Sequence, residues 1–89
     1  ILPQHIICEI MKQKNYMIKA GKLKKYIERF ISENNLVVSY SNKQILSNGL
    51  KFLLKHDIVQ KKNDYLVGIK VEVISRYSEM LRNKNTGNQ

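Results

Sequence analysis

The fold is decided by residues 41–73, which read SNKQILSNGLKFLLKHDIVQKKNDYLVGIKVEV. The first part, Ser41 to His56, has apolar residues at helical spacing and begins with the S-x-x-Q pattern of a capping box. After Asp57 the apolar period changes from 3.6 to 2, and the turn pair Asn63-Asp64 lies between two alternating runs. The stretch therefore predicts a helix that is followed directly by a β-hairpin.

The predicted hairpin has strands over residues 58–62 and 65–73. Ser75 is suited to cap a short final helix, which we expect to extend through residue 81. Residues 83–89 contain no apolar side chain. We therefore expect one domain over residues 1–82 and a flexible polar tail over residues 83–89.

Two amphipathic helices precede the deciding stretch. Pro3 suits the first position of a helix over residues 3–14, and a clear apolar stripe predicts a second helix over residues 23–33. Residues 16–18 form a short extended link between them. This order of elements is that of a winged helix-turn-helix. The sequence predicts an α+β fold with a three-helix core, a C-terminal β-hairpin wing and a short final helix.

The composition limits the function. The chain has 89 residues, with 16 Lys and Arg against 7 Asp and Glu, a formal net charge of +9 and a pI near 9.8. This length supports one small core, and the positive charge favours a polyanionic partner, although solubility alone is the alternative explanation. No apolar run approaches the ~18 residues of a membrane span, and we expect no membrane partner. The chain begins with Ile1, which is compatible with a domain of a longer protein.

The predicted third helix offers a candidate DNA-binding face. Residues 39–56 contain no carboxylate, whereas an ordinary solvated helix carries mixed charges. In a helix-turn-helix the second helix of the pair lies in the major groove, where Lys, Gln and Asn contact phosphates and base edges. A solvated face and a protein interface remain the alternatives. The predicted contact residues of this helix are Lys43, Gln44, Ser47, Asn48 and Lys51.

The tip of the hairpin is the second candidate site. Lys61, Lys62 and Asn63 lie where a wing reaches a neighbouring groove or the DNA backbone. Lysines also protect the edges of surface hairpins from strand pairing, which is the competing explanation. The second helix adds a weaker candidate phosphate surface, because Glu28 and Glu33 dilute its positive charge. The basic residues of that surface are Lys22, Lys24, Lys25 and Arg29.

The sequence predicts a non-catalytic chain without a cofactor. Its four glycines are too scattered for a phosphate-binding loop, and its carboxylates are spread singly. His5, His56 and Cys8 have no metal-ligand spacing, and the apolar neighbours of Cys8 indicate a core residue. A single cysteine favours a reducing compartment.

Several runs resemble one protein family. They are Ile18-Lys19-Ala20-Gly21-Lys22-Leu23, Tyr26, the third helix ending in Leu54-Lys55-His56-Asp57-Ile58-Val59, and residues 68–73 and 76–81. Together they resemble the C-terminal winged-helix domain of replication initiators, the group with the largest subunit of the origin recognition complex and the cell-division-cycle licensing ATPase. In that family residues 68–73 correspond to the closing strand, and residues 76–81 to the final helix.

The resemblance implies a nuclear protein that binds double-stranded origin DNA and works with other initiator or helicase-loading proteins. The family's ATPase module has no counterpart in this chain. The transferable sites are the face of the third helix and the hairpin tip, and the two-residue turn is shorter than many wings of the family.

Two other functions compete with phosphate-dominated DNA binding. A protein-docking winged helix would use an exposed apolar surface, for which the candidates are Tyr16, Met17, Leu36 and Tyr40. A sequence-specific transcription regulator would need a dimer, and the sequence has no heptad pattern that indicates one.

Overall fold

The computed structural model describes the backbone of residues 1–86 and the side chains of residues 1–82. Within that part, four helices and one three-stranded antiparallel sheet form an α+β fold that is consistent with a winged-helix-like arrangement. The first elements are α1 (Pro3–Gln13), β1 (Met17–Lys19), a 3₁₀ turn (Ala20–Lys22) and α2 (Leu23–Glu33). The third helix, α3, is continuous and has three parts, Asn42–Gln44, Ile45–Gly49 and Leu50–Lys55. It is followed by β2 (Val59–Lys62), β3 (Tyr65–Gly68) and α4 (Val71–Thr86).

Helix α1 forms the centre of the core. Pro3 occupies its first turn, where the missing N–H is not needed, and residues 5–11 are buried without interruption. A helix that is buried on all sides must have other elements packed around its whole circumference. Cys8 is fully buried, so its predicted role as a core residue is confirmed.

Helix α2 packs one apolar stripe against the core, as its periodicity predicts. Leu23, Ile27 and Phe30 are buried, while the opposite side is exposed. The helix ends at Asn34, whose side-chain amide donates a hydrogen bond to the carbonyl oxygen of Phe30 at 2.8 Å. Asn35 then takes a left-handed conformation with φ of 50°. Asn tolerates this conformation better than most residues do, so the predicted stop is confirmed.

The sheet has the strand order β1-β3-β2. The predicted extended link contains a strand, because Met17 pairs with Val67 and Ile18 pairs with Leu66 in the antiparallel register of β1 and β3. Ile18 and Leu66 are buried on the side that faces the helices. Isolated hairpins are marginally stable, so the third strand helps to fix the hairpin on the core.

The predicted second strand of the hairpin is too long. β3 ends at Gly68, and the predicted strand residues Val71 and Val73 belong to α4. The backbone N–H groups of Val73 and Ile74 both donate to the carbonyl oxygen of Lys70, which begins the helix. A short alternating pattern also fits part of a helical one, and burial of Ile74 at the helical period decides between them. Of residues 68–73, which the resemblance assigns to a closing strand, only Gly68 lies in a strand, so this prediction is wrong.

The final helix is longer than predicted. α4 has 16 residues and begins before the proposed cap at Ser75. Its backbone includes residues 83–86 of the expected flexible tail, and residues 87–89 lie outside the described residues. Within the described part, no helix is both long and apolar enough to cross a membrane.

A polar contact inside the apolar interface joins α1 to α4. Glu9 is only 4% exposed. Its carboxylate accepts hydrogen bonds from the hydroxyl of Ser78 and from two guanidinium nitrogens of Arg82, at 3.2 and 2.8 Å. A buried carboxylate without such donors would strongly destabilise the fold, so these bonds fix the position of α4 on α1.

Gly49 allows α3 to approach α1 closely. A Cβ atom at this position would lie 2.7 Å from Cδ1 of Ile7 and 2.9 Å from the backbone carbonyl of Pro3. The backbone of Pro3 cannot move aside as a side chain can. The close approach therefore depends on the absence of a side chain at residue 49.

We expect Gly49→Ala to lower the free energy of unfolding by about 1–3 kcal/mol, because overpacking at the α1–α3 contact outweighs the better helix propensity of Ala. Urea unfolding monitored by circular dichroism measures the effect. Gly21→Ala is the matched control, because a Cβ there meets nothing within 4 Å, and it should be neutral or stabilising. Equal stabilisation by both substitutions would contradict the close approach.

Candidate nucleic-acid interface

All five predicted contact residues of α3 lie on the surface. Their side chains are exposed, and the carboxylate-free stretch around them remains free of acidic residues up to Asp57. The residues that the structure places on this exposed side are Lys43, Gln44, Ser47, Asn48 and Lys51. A negatively charged ligand would meet no repulsive side chain of α3 along this surface.

Gln44 has a structural role that limits its use in base recognition. Its side-chain oxygen accepts a hydrogen bond from the backbone N–H of Ser41 at 2.9 Å, and its own N–H donates to the Ser41 hydroxyl at 3.2 Å. The predicted capping box is thus confirmed. A bidentate contact with adenine needs both polar atoms of the amide, and here the oxygen is engaged at the helix start. Asn48 is the exposed amide that is left for such a contact.

A π-helical turn interrupts α3 at Ile45–Gly49. This kind of turn spans one more residue than an α-helical turn, so it rotates the residues after it relative to those before it. Lys43 precedes the irregular turn and Lys51 follows it. The angle between these two side chains around the helix axis therefore differs from that in a regular α-helix. Periodicity assumes a regular helix and could not predict this rotation.

The hairpin tip is held by backbone contacts. Asn63 has φ of 55°, and the carbonyl oxygen of Asp64 accepts a hydrogen bond from the N–H of Ala20 at 2.8 Å. Lys61, Lys62 and Asn63 are exposed around this turn. The link from α3 is also tight, because the N–H of Ile58 donates to the carbonyl of Leu53 at 3.0 Å. The hairpin thus follows α3 without a flexible linker.

One side of α3 is only half-buried. The helical spacing of Leu46, Leu50 and Leu54 predicts a core position for each of them, but the structure leaves all three half-buried. They form a shallow groove together with Ser47, Lys51 and Lys55. The core positions of this helix are instead Ile45, Gly49 and Leu53. We name this surface the leucine groove.

The outer face of the sheet carries a basic and aromatic row that the sequence analysis missed. Tyr65 pairs with Lys19 of β1 on one side and with Lys62 of β2 on the other. Directly paired residues project from the same face of a sheet. β1 is only three residues long, and the pairing of Lys19 with Tyr65 joins residues that are far apart in the sequence, so no local pattern predicts this row.

The four apolar residues proposed as a protein-docking surface do not form one exposed patch. Met17 is 54% exposed, whereas Tyr16, Leu36 and Tyr40 are half-buried against the core. The hydroxyl of Tyr16 also lies 3.1 Å from the hydroxyl of Ser75, within hydrogen-bond distance. Of this set, Met17 alone is a strongly exposed apolar side chain.

The basic residues of α2 are exposed, as a phosphate surface would require. Lys24, Lys25 and Arg29 lie on the outside of the helix, beside the exposed Glu28 and Glu33, and the exposed Lys22 directly precedes it. The same helix contributes Tyr26, and Nζ of Lys14 lies 4.7 Å from the centre of its ring. This is the distance of a cation–π contact, which ties the end of α1 to α2.

The described residues contain no group of three His, Cys, Asp or Glu that could hold a metal ion. His56 directly follows α3, and the centre of its ring lies 4.4 Å from that of Phe52. Burial raises the pKa of the Cys8 thiol to about 12. A thiol of this kind is nearly always protonated at neutral pH, which is unfavourable for nucleophilic chemistry.

The chain has no match among known protein families, curated proteins or solved structures. The residues and their geometry are therefore the basis for a functional hypothesis.

We expect Cys8 to react with an aromatic disulfide reagent at pH 8 only after unfolding, because the thiol is buried and its raised pKa leaves very little thiolate. Absorbance of the released thiol measures the rate. The thiolate fraction of the folded protein should increase only near pH 12. Reaction of the folded and urea-unfolded proteins at the same rate would contradict this assignment.

Proposed function

We propose that this chain is a duplex-DNA-binding module in which α3 lies in the major groove and the β2–β3 hairpin acts as a wing. The observation that carries the proposal is the exposed face of α3, which has no carboxylate and is followed directly by the β2–β3 hairpin with Lys61 and Lys62 at the end of β2. Mixed charges would be expected if this surface were only solvated.

The strand order supports a winged-helix assignment. β1 precedes α2 but pairs with β3, so the hairpin is attached to the side of the helical core. Helices α2 and α3 are then the helix-turn-helix pair, with α3 as its second helix. In such a module the second helix contacts the major groove, and a hairpin beside it can reach the DNA backbone.

Phosphate contacts should dominate the affinity of this module. Five exposed lysines lie on α3 and the wing, and four of them are at the predicted contact positions, namely Lys43, Lys51, Lys61 and Lys62. Base readout is weaker, because Gln44 is engaged in the capping box and Asn48 is the main remaining amide. The proposed binding is therefore strongly salt-dependent and has little sequence preference.

The proposed biological role is origin recognition or licensing in DNA replication. It is supported by the resemblance of residues 18–26 and 54–59 to replication initiators. In that role the chain is nuclear, is not itself an enzyme, holds no cofactor, and acts with other initiator or helicase-loading proteins.

A protein-docking winged helix is the second candidate function. The leucine groove favours it, because Leu46, Leu50 and Leu54 present an apolar strip beside two lysines. Such a strip fits the apolar face of an amphipathic helix. Leu50→Ala should weaken a partner of this kind without changing the binding of DNA.

Salt-dependent DNA binding provides the first test. We expect affinity for an unrelated duplex to fall by roughly 150-fold between about 50 and 200 mM salt, if the four lysines each contact one phosphate. K43Q/K51Q and K61Q/K62Q should each lower the slope of log affinity against log salt by about two. Fluorescence anisotropy with a labelled duplex measures both quantities.

K70Q/R76Q is the matched control, because it also removes two exposed positive charges. These charges lie at the start of α4 and not on α3 or the wing. It should leave the slope nearly unchanged. Equal losses in all three double variants would mean that net charge, rather than α3 and the wing, determines the affinity. Absence of binding at low salt would favour the docking function.

A further inference from the structure

The outer face of the sheet has an aromatic ring between two lysines. Lys19, Tyr65 and Lys62 are cross-strand partners in one row, with Tyr65 on the central strand. Partners in such a row have Cβ atoms about 5 Å apart. Each lysine can therefore reach a group that lies on the ring.

This ring and one apolar neighbour, Met17, are open to solvent, and a second neighbour, Val67, is half-buried. Tyr65 is 44% exposed and Met17 is 54% exposed. Met17 pairs with Val67, which is two residues after Tyr65 and therefore on the same face of β3. Core packing does not account for an aromatic side chain that remains this exposed on a central strand.

All charged side chains of the three strands are positive. The three strands contain the lysines Lys19, Lys61 and Lys62 but no carboxylate, and the nearest acidic residue is Asp64 in the turn. An apolar protein surface would gain little from these lysines. A partner that combines flat apolar rings with negative charges fits the row better, and unpaired nucleotides have both properties.

We propose that the outer face of the sheet binds single-stranded nucleic acid, with a base stacked on Tyr65 and adjacent phosphates contacted by Lys19 and Lys62. In a duplex the faces of the bases are covered by neighbouring base pairs, so a ring on a flat sheet can stack only on an unpaired base. The inference does not depend on duplex binding by α3, because it uses a different face, although Lys62 can serve both sites.

The test is binding of a labelled oligothymidine of about 15 nucleotides, which is long enough for one such site. Tyr65→Ala should weaken this binding by between about five-fold and a hundred-fold, the usual range for loss of one base–aromatic stack. Tyr65→Phe should retain the affinity, because the ring is kept. K19Q should weaken binding and lower the slope of log affinity against log salt by about 0.7, the value for one phosphate contact of a single strand.

Val37→Ala is the matched control, because Val37 is 94% exposed and lies outside the sheet. It should leave the affinity for oligothymidine unchanged. Thermal unfolding of Tyr65→Ala tests whether this variant still folds. If Tyr65→Ala does not fold, the effect of K19Q on oligothymidine binding tests the same site.

Duplex binding, measured in parallel, separates the two hypotheses. The single-strand site is supported if Tyr65→Ala loses oligothymidine binding while its duplex affinity equals that of the wild type. It is supported equally if neither the wild type nor Tyr65→Ala binds duplex, because the α3 proposal alone then fails. Equal oligothymidine affinity of the wild type and Tyr65→Ala would overturn the single-strand site. A loss of oligothymidine affinity in Tyr65→Phe as large as that in Tyr65→Ala would also overturn it, because the ring would then not be the contact. So would a wild-type dimer that Tyr65→Ala converts to a monomer, because this face would then be a protein interface.

Discussion

Burial of α1 is the constraint on which the rest of the structure depends. Seven consecutive residues of this helix, 5–11, have almost no contact with solvent, so it must be covered on every side. Helix α3 covers one side and can do so closely only because residue 49 is glycine. Helix α4 covers another side and satisfies the buried carboxylate of Glu9. The exposed faces of α3 and of the sheet are the surfaces that remain once this covering is complete.

The sequence predicted the helices well where a chemical signal marks their ends. Pro3 begins α1 because its missing N–H is not needed there. The Ser41 and Gln44 pair begins α3, and Asn34 ends α2, through side-chain bonds to the nearby backbone. None of these signals requires knowledge of the fold. The boundary between β3 and α4 was wrong because residues 65–73 satisfy two periods over a short span. Only the tertiary position of Ile74 in the core distinguishes them.

The candidate site was predictable in its composition but not in its geometry. Exposure of the lysines and amides on α3 follows from their spacing, whereas the π-helical turn within this helix does not. The engagement of Gln44 shows that one residue can satisfy a folding signal and thereby lose a recognition role. The row through Tyr65 depends on pairing between strands that are more than 40 residues apart in the sequence, and no local pattern contains that information.

The contact between α1 and α4 also has a consequence for synthesis of the chain. The partners of Glu9 are Ser78 and Arg82, which are 69 and 73 residues further along the sequence. At a translation rate of about 5–20 residues per second, α1 would wait on the order of 4–14 s for the helix that covers it. During that interval an apolar helix is open to chaperones and to aggregation. Complete burial of α1 on the ribosome therefore requires α4 to have emerged.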